Sequence, residues 1–359
     1  MRVVITAGGT GGHIYPALAI INKIKKRHPD SEFLYIGTHN RMEKDIIPKH
    51  GIPFKSIEIY GFNRKNPFKN IKTVRYFLKS LKDIKKYMKE FKPDVVIGVG
   101  GYVTGPVIYM AHRLGYKTLI HEQNSVPGKA NRFLSKYADT VGVSFKSSIK
   151  YFPSYKTVFT GNPCSEEALL SKEVTKKQFD LDEHKKCVLF VMGSLGSSKM
   201  NDFLVKTMTL FKNKPYQIIF VTGKSYEEEL KKHTFPSNVK AVPYIENMTG
   251  FMRNVDMMVS RAGASTLSEI IALQVPSILI PSPYVPENHQ YKNAIDLVNK
   301  KAAVLLEESE LKGDILVRKI DELLLNASTL EEMKKALAGL HIKNSATRIV
   351  EEIEVLVGR

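Results

Sequence analysis

Along the whole chain, short apolar runs alternate with stretches whose apolar residues recur at three- and four-residue steps. Residues 3–6, 33–36, 56–59, 95–99, 118–120 and 140–143 form one series of predicted strands, and residues 187–191, 217–221, 239–242, 257–260, 277–280 and 302–305 a second. Short, continuous, β-branched runs separated by amphipathic segments are the pattern of parallel strands buried on both faces. Two such series predict an α/β protein of two Rossmann-like, doubly wound domains facing a cleft. The turn-rich Gly161-Asn162-Pro163 sets the boundary, giving domains over residues 1–163 and 164–340. Ile349, Val350, Ile353 and Leu356 lie at helical spacing, and a helix over 341–359 is expected to pack back on the first domain.

Composition agrees with this plan. The 359 residues, 43% of them hydrophobic, are enough for two cores. Two cysteines, Cys164 and Cys187, are too few for a disulfide framework or a thiolate metal site. No signal peptide is expected, because no charged stretch followed by an apolar run of roughly 7–15 residues opens the sequence, and no membrane-spanning helix, because no apolar run reaches the roughly 18–20 residues a span requires. The formal net charge of +18 favours polyanionic partners. Much of it is concentrated in residues 65–90. There Phe68, Ile71, Val74, Phe77, Leu78, Leu81, Ile84 and Met88 recur at helical steps among nine Lys and Arg residues. A solvated lysine face on a core-packed helix is the commoner arrangement. The same pattern also suits a helix lying on an anionic membrane surface, at about 1 kcal/mol per basic residue. Nucleic acid is not expected as a partner, since no base-reading module accompanies the charge.

Candidate chemistry lies at the predicted C-terminal strand ends, where open α/β sheets bind ligands. In the first domain, Gly8-Gly9-Thr10-Gly11-Gly12-His13 joins strand to helix, and Pro16 sits at a first-turn position. Glycine N–H groups beside a helix N-terminus make an anion cradle, and His13 is the titratable group at its lip. Gly100-Gly101-Tyr102 is a second such turn, and the Tyr102 hydroxyl can reach a substrate. His121-Glu122-Gln123-Asn124 places four polar side chains on the same edge. In the second domain, Gly193-Ser194-Leu195-Gly196-Ser197 has the form of a phosphate cradle. Glu269 follows in the helix of Ser260-Arg261-Ala262-Gly263-Ala264-Ser265-Thr266-Leu267-Ser268-Glu269, where a carboxylate can accept two adjacent hydroxyls. The segment Asn288-His289-Gln290 offers amides for sugar hydroxyls.

Several other motifs fail on spacing. A P-loop ending at Gly223-Lys224-Ser225 needs glycine where Ile218 stands. A zinc helix beginning His121-Glu122 needs histidine where Ser125 stands. A dinucleotide fingerprint needs glycine where Ile14 stands. Asp180-Leu181-Asp182 lies in a polar connector, away from any strand end. No metal site and no cofactor are expected.

The segments GGTGGHIYPALA, GVGGYVTGP, HEQNSVPGKAN, GNP, MGSLGSSKMN, SRAGASTLSE and NHQYKNA, spread in order over residues 8–294, resemble the MurG family. Its members are UDP-N-acetylglucosamine:undecaprenyl-diphospho-muramoylpentapeptide N-acetylglucosaminyltransferases of bacterial peptidoglycan synthesis. The resemblance implies the two-domain GT-B architecture and an inverting transfer of N-acetylglucosamine from UDP-N-acetylglucosamine to the muramoyl 4-hydroxyl of lipid I, giving lipid II. It implies His13 as the general base and Thr10, Gly11 and Gly12 as diphosphate contacts. Asn124 and Gln290 become sugar contacts, and Ser194 a diphosphate contact. Ile245 would meet uracil through its backbone, Ala264, Ser265, Thr266, Leu267 and Ser268 would form the nucleotide loop, and Glu269 would hold the ribose hydroxyls. It further implies peripheral attachment to the cytoplasmic face of the cell membrane, with other cell-wall synthesis proteins as possible partners. Two positions depart from the pattern: Ser165 stands where some members carry Arg, and His289 where Gln is frequent. Other GT-B enzymes of UDP-sugars, such as a diacylglycerol glycosyltransferase or a UDP-N-acetylglucosamine 2-epimerase, remain alternatives, as does a non-catalytic basic membrane- or nucleic-acid-binding protein.

Overall fold

The computed structural model describes residues 1–60, 70–193 and 198–359. The chain divides into two compact units, Met1–Cys164 with Lys343–Arg359, and Ser165–Ile342.

The first unit is built on seven strands: β1 (Arg2–Ala7), β2 (Glu32–Thr38), β3 (Phe54–Ile57), β4 (Val95–Gly100), β5 (Lys117–Glu122), β6 (Thr140–Val143) and β7 (Thr157–Phe159). All neighbours are parallel, in the order β3-β2-β1-β4-β5-β6-β7, so the winding reverses between β1 and β4. The crossovers carry α1 (Gly11–Arg27), α2 (Glu43–Lys49), α3 (Asn70–Phe91), α4 (Thr104–Arg113) and α5 (Lys129–Leu134). Successive side chains of a strand point to opposite faces, and the sheet uses both. Val3 and Ile5 pack with Val95 and Ile97 under Ile14, Ala17 and Ile21 of α1. Val4 and Val96 pack under Ile84 and Met88 of α3 and Val107 and Ile108 of α4. The edge strand β7 was not among the predicted runs, and β3 begins two residues earlier than its apolar pattern implied.

The second unit has six strands: β8 (Cys187–Val191), β9 (Gln217–Val221), β10 (Val239–Val242), β11 (Met257–Ser260), β12 (Ser277–Leu279) and β13 (Val304–Leu305). They are again all parallel, in the order β10-β9-β8-β11-β12-β13, with the reversal between β8 and β11. Its helices are α6 (Cys164–Leu170, which begins at the last residue of the first unit), α7 (Ser198–Met208), α8 (Glu227–Leu230), α9 (Met248–Met252), α10 (Ala264–Leu273), α11 (His289–Val298), α12 (Ile315–Leu324) and α13 (Ala327–Leu340). Val188, Phe190, Ile218 and Phe220 form the core with Leu204 and Met208 of α7 and Leu316 and Ile320 of α12.

The final helix, α14 (Ser345–Val357), returns to the first unit. Its Ile349, Val350 and Ile353 are fully buried beside α1 in the core that contains Val3 and Ile5. Glu354 closes the seam. It takes a two-pronged contact from Arg27, Nε at 2.7 Å and Nη2 at 2.8 Å, and lies 2.6 Å from Nε2 of His28. Two parallel N–H to carboxylate bonds fix orientation as well as attraction.

The 65–90 stripe divides between two uses. Phe68 and the lysines at 65 and 69 lie outside the described residues, as do the side chains of Ile71 and Lys72. Of the rest, Ile84 and Met88 are fully buried, whereas Val74 and Leu78 are about half exposed on the outer face, beside Arg75, Lys79 and Lys82. One helix therefore carries both a core-facing line and an outward apolar patch with cations around it. Among the described residues, no helix is long and apolar enough to cross a membrane.

Candidate active site

The sheet reversal of the first unit places the β1–α1 and β4–α4 turns side by side, and their main chains touch. The Gly8 N–H donates to the Gly100 carbonyl at 3.1 Å. Gly101 has φ +89, and a Cβ there would lie 2.3 Å from the Gly8 carbonyl oxygen. Gly100 has φ +119, and a Cβ on it would lie 2.5 Å from Cδ2 of His13. Glycine is needed at both positions twice over, for the left-handed backbone and for space. Thr104, fully buried at the start of α4, locks the second turn: its hydroxyl donates to the Gly100 carbonyl at 2.8 Å and lies 3.2 Å from the Gly100 nitrogen, from which it accepts.

His13 is half-buried in the first turn of α1, its ring over Gly100, and Nδ1 is 3.1 Å from the Gly8 carbonyl oxygen. A carbonyl only accepts, so this bond requires the proton on Nδ1 and leaves the Nε2 lone pair for an incoming proton. The Thr10 carbonyl accepts from the N–H of His13 at 3.1 Å and of Ile14 at 3.3 Å, while its side chain makes no capping bond and is exposed. Thr10, Gly11 and Gly12 thus form an open helix N-terminus, where N–H groups and the macrodipole favour an anion. Tyr102, 69% exposed, stands on the adjoining turn.

The His121-Glu122-Gln123-Asn124 segment divides differently from its expected role. His121 is fully buried and burial pushes its imidazole down to about 4, so it is neutral. The Gln123 amide donates to Nδ1 at 3.0 Å, and Nε2 therefore donates to the Gly161 carbonyl at 3.0 Å. Buried Glu122 accepts from the Asn124 N–H and Nδ2 at 2.9 and 3.1 Å, from the Gly128 N–H at 3.2 Å, and from Asn131 Nδ2 at 2.9 Å. Three of the four polar groups hold the loop together, and Asn124 is the one they position at its surface.

In the second unit β8 leads through Gly193 (φ +93) toward α7. Ser194 and the rest of that turn, 194–197, lie outside the described residues. Ala264, Ser265, Thr266, Leu267, Ser268 and Glu269 share α10, which starts at Gly263 without a side-chain cap. Its first turn presents open N–H groups, and the Ser265 hydroxyl is buried with no hydrogen-bond partner among the described residues. Leu267 faces the other way: its side chain is fully buried and its N–H donates to the Gly263 carbonyl at 2.9 Å. The Glu269 carboxyl makes no hydrogen bond or ion pair among the described residues, and burial pushes it up to about 8. Ile245, after β10, is buried. Gln290 accepts the Ser282 N–H at 2.8 Å, so its Oε1 fixes its own loop.

Some structural supports were given no role by the sequence, although Arg261 and Asn293 lie within the quoted segments. Arg261 is buried before α10, donates to the Ile280 carbonyl at 3.0 Å and pairs with Glu308 at 2.6 Å. Asn293 of α11 donates to the Ala262 carbonyl at 3.3 Å, tying α11 to the loop that opens α10. Glu43 lies behind the first glycine turn. Each is one charged or amide residue among many, and partners far apart in sequence give it its place.

Two parallel, doubly wound sheets, the first with a glycine turn beside its reversal, have the architecture of the GT-B class of α/β glycosyltransferase folds. Residues 3–143 match the glycosyltransferase family 28 N-terminal domain and residues 187–353 the family 28 C-terminal domain. The UDP-N-acetylglucosamine--N-acetylmuramyl-(pentapeptide) pyrophosphoryl-undecaprenol N-acetylglucosamine transferase 1 of Bacillus cereus is 50% identical over 362 residues, covering 99% of this chain and all of the relative. The transferase of that name from Bacillus subtilis is 46% identical, covering 99% of each chain. The crystal structure of Acinetobacter baumannii MurG matches with a TM-score of 0.78 at 28% identity, over 98% of this chain and 99% of that one. The chain belongs to glycosyltransferase family 28 and, within it, to the MurG family.

The contact between the two glycine turns is open to a direct test. Gly101→Ala forces a side chain onto the Gly8 carbonyl at a positive φ, and is expected to cost more than about 1 kcal/mol in urea unfolding. Gly105→Ala, on α4, meets nothing within 4 Å and is expected to leave the midpoint nearly unchanged.

Proposed function

We propose that the chain transfers N-acetylglucosamine from UDP-N-acetylglucosamine to the 4-hydroxyl of the muramoyl sugar of lipid I, releasing UDP and giving lipid II. The observation that carries this reading is the His13 ring, its Nδ1 on the Gly8 carbonyl and its Nε2 open, in a chain half-identical end to end to transferases of that name. The acceptor hydroxyl attacks the anomeric carbon as the bond to the UDP oxygen breaks. The donor is α-linked and the product β-linked, so one displacement with inversion suffices. His13 Nε2 takes the hydroxyl proton in that step. The bond to UDP leaves a growing negative charge on the diphosphate. The open N-terminus of α10 with the Ser265 hydroxyl, and the turn carrying Ser194, supply donors for it. Thr10, Gly11 and Gly12 take the acceptor diphosphate, and Tyr102 and Asn124 contact the sugars. Glu269 accepts the two ribose hydroxyls, Ile245 meets uracil through its main chain, and Gln290 offers its amide NH2 to the donor sugar.

The acceptor carries a polyprenyl tail, which calls for the reaction to take place at a membrane surface, and a nucleotide-sugar donor favours its cytoplasmic face. The outer patch of α3, Val74 and Leu78 among cations, supports a peripheral contact with an anionic leaflet. Half-identity over the full length to these transferases favours this activity over the other UDP-sugar chemistries of the fold.

Labelled N-acetylglucosamine and a lipid I analogue test the core of the proposal. His13→Ala is expected to lower kcat by about 10²- to 10⁴-fold while binding of UDP-N-acetylglucosamine is kept. Glu269→Ala is expected to lose binding as well as turnover. Full turnover by His13→Ala would remove the base assignment.

The raised Glu269 carboxyl gives the donor site a pH dependence. Ribose hydroxyls donate to the ionised form, and that form becomes the majority only above about pH 8. Affinity for UDP-N-acetylglucosamine is therefore expected to rise from pH 6.5 to 8.5, by at most about tenfold per pH unit below that value. Calorimetry across this range checks it, and Glu269→Gln should flatten the curve.

Val74→Gln with Leu78→Gln is expected to weaken co-sedimentation with phosphatidylglycerol vesicles several-fold, while turnover of a short-chain soluble acceptor stays unchanged. Unaltered sedimentation would exclude this patch as the contact.

A further inference from the structure

Glu43 is fully buried at the start of α2, and no cation pairs with it among the described residues. Its Oε1 accepts from the Thr38 N–H at 3.0 Å and the Thr38 hydroxyl at 2.6 Å. Its Oε2 accepts from the Gly9 N–H at 3.1 Å. That N–H belongs to the same peptide unit as the Gly8 carbonyl, which accepts from His13 Nδ1 at 3.1 Å. A trans peptide points its N–H and C=O in opposite directions, so the carboxylate and the imidazole sit at the two ends of one amide dipole. Negative charge at the N–H end draws electron density toward the carbonyl oxygen, and hydrogen bonds in series strengthen one another.

We propose that Glu43 is a positioning residue for His13 that acts through the Gly8–Gly9 peptide. It holds that peptide so that the Gly8 carbonyl fixes the proton on Nδ1, and it supports the positive charge the ring acquires when Nε2 takes a proton. The arrangement does the work of a carboxylate hydrogen-bonded directly to a catalytic histidine, with one amide interposed. The interposition has a steric reason. The same carboxylate fills the space beside the turn, where a Cβ on Gly8 would lie 2.5 Å from Oε1. The titratable neighbour of Glu43 is Tyr35, whose hydroxyl donates to the Ala7 carbonyl at 2.9 Å. Burial, then the Glu43 charge, hold that phenol well above its usual range, so it stays neutral and does not compete. On the far side of the imidazole lies the uncharged backbone of Gly100.

The inference rests on His13 being the base, and ring ¹⁵N spectroscopy of histidine-labelled full-length protein separates the two claims. His13 signals are assigned with His13→Asn. In its neutral form, His13 of the unaltered chain is expected to carry the proton on Nδ1. In Glu43→Gln either amide orientation sets an NH2 against an N–H donor, so the tautomer is expected to become mixed and the ring to titrate at lower pH. The kcat should fall about tenfold with KM for UDP-N-acetylglucosamine within twofold, because the donor contacts are elsewhere. Thr38→Val removes the hydroxyl from the other carboxylate oxygen and leaves the Gly9 bond. It should lower stability without moving the His13 titration, and an equal shift in that variant would mean loose packing and overturn the proposal. If Glu43→Gln does not fold, Glu43→Asp, which keeps the charge but draws back from Gly9, is read the same way. A folded variant at Glu43 with the tautomer, titration and kcat of the unaltered chain overturns the inference. Turnover surviving in His13→Ala, with the tautomer still dependent on Glu43, would instead overturn the base assignment alone.

Discussion

At the reversal of the first sheet the Gly8 N–H donates to the Gly100 carbonyl while Gly101 lies against the Gly8 carbonyl, with no room for a side chain between them. This meeting of two main chains sets what lies around it. Gly100 supplies the floor on which the His13 ring rests, the Gly8 carbonyl receives the ring's Nδ1, and Thr104 and Glu43 brace the two turns from behind. A parallel sheet brings strand ends together at its reversal whatever the loops contain. Glycine lets those loops approach closely enough for backbone atoms to orient the histidine.

The fold was legible because the central strands, such as β1, β4, β8 and β9, are largely apolar runs between helices, the pattern of a sheet covered on both faces. Legibility failed where the signal was weak or shared. The β7 run of three half-buried residues, Thr157–Phe159, has too little apolar contrast to stand out. In α3, Val74 and Leu78 keep the same helical spacing as Ile84 and Met88, yet only the latter pair meets the sheet. Periodicity reports that a face is apolar and not what covers it.

At the site, sequence located the turns but could not separate ligand-facing groups from those that hold a loop. His121, Glu122 and Asn124 lie within one run of four polar residues. Two of them are buried and occupied internally, and only the network shows that they hold Asn124 in place. Leu267 lies within the same short motif as Ser265 and Glu269, but helical geometry turns it into the core. Glu43 was invisible for a different reason. It looks like any carboxylate in the first turn of a helix, favourable there for the macrodipole alone. Its partners, Gly9 and Thr38, come from the first glycine turn and the end of β2.

The return of α14 to the first unit has a consequence for how the molecule is made. Ile349, Val350 and Ile353 complete a core whose other members are encoded within the first 120 residues, and Glu354 closes on Arg27 and His28. During synthesis the N-terminal sheet must therefore wait, with one apolar face uncovered, until α14 has followed the whole of the second unit out of the ribosome. The second unit, continuous in sequence, can finish first. A chain cut short before α14 would carry every glycine turn of the site and still present that open face to chaperones and proteases.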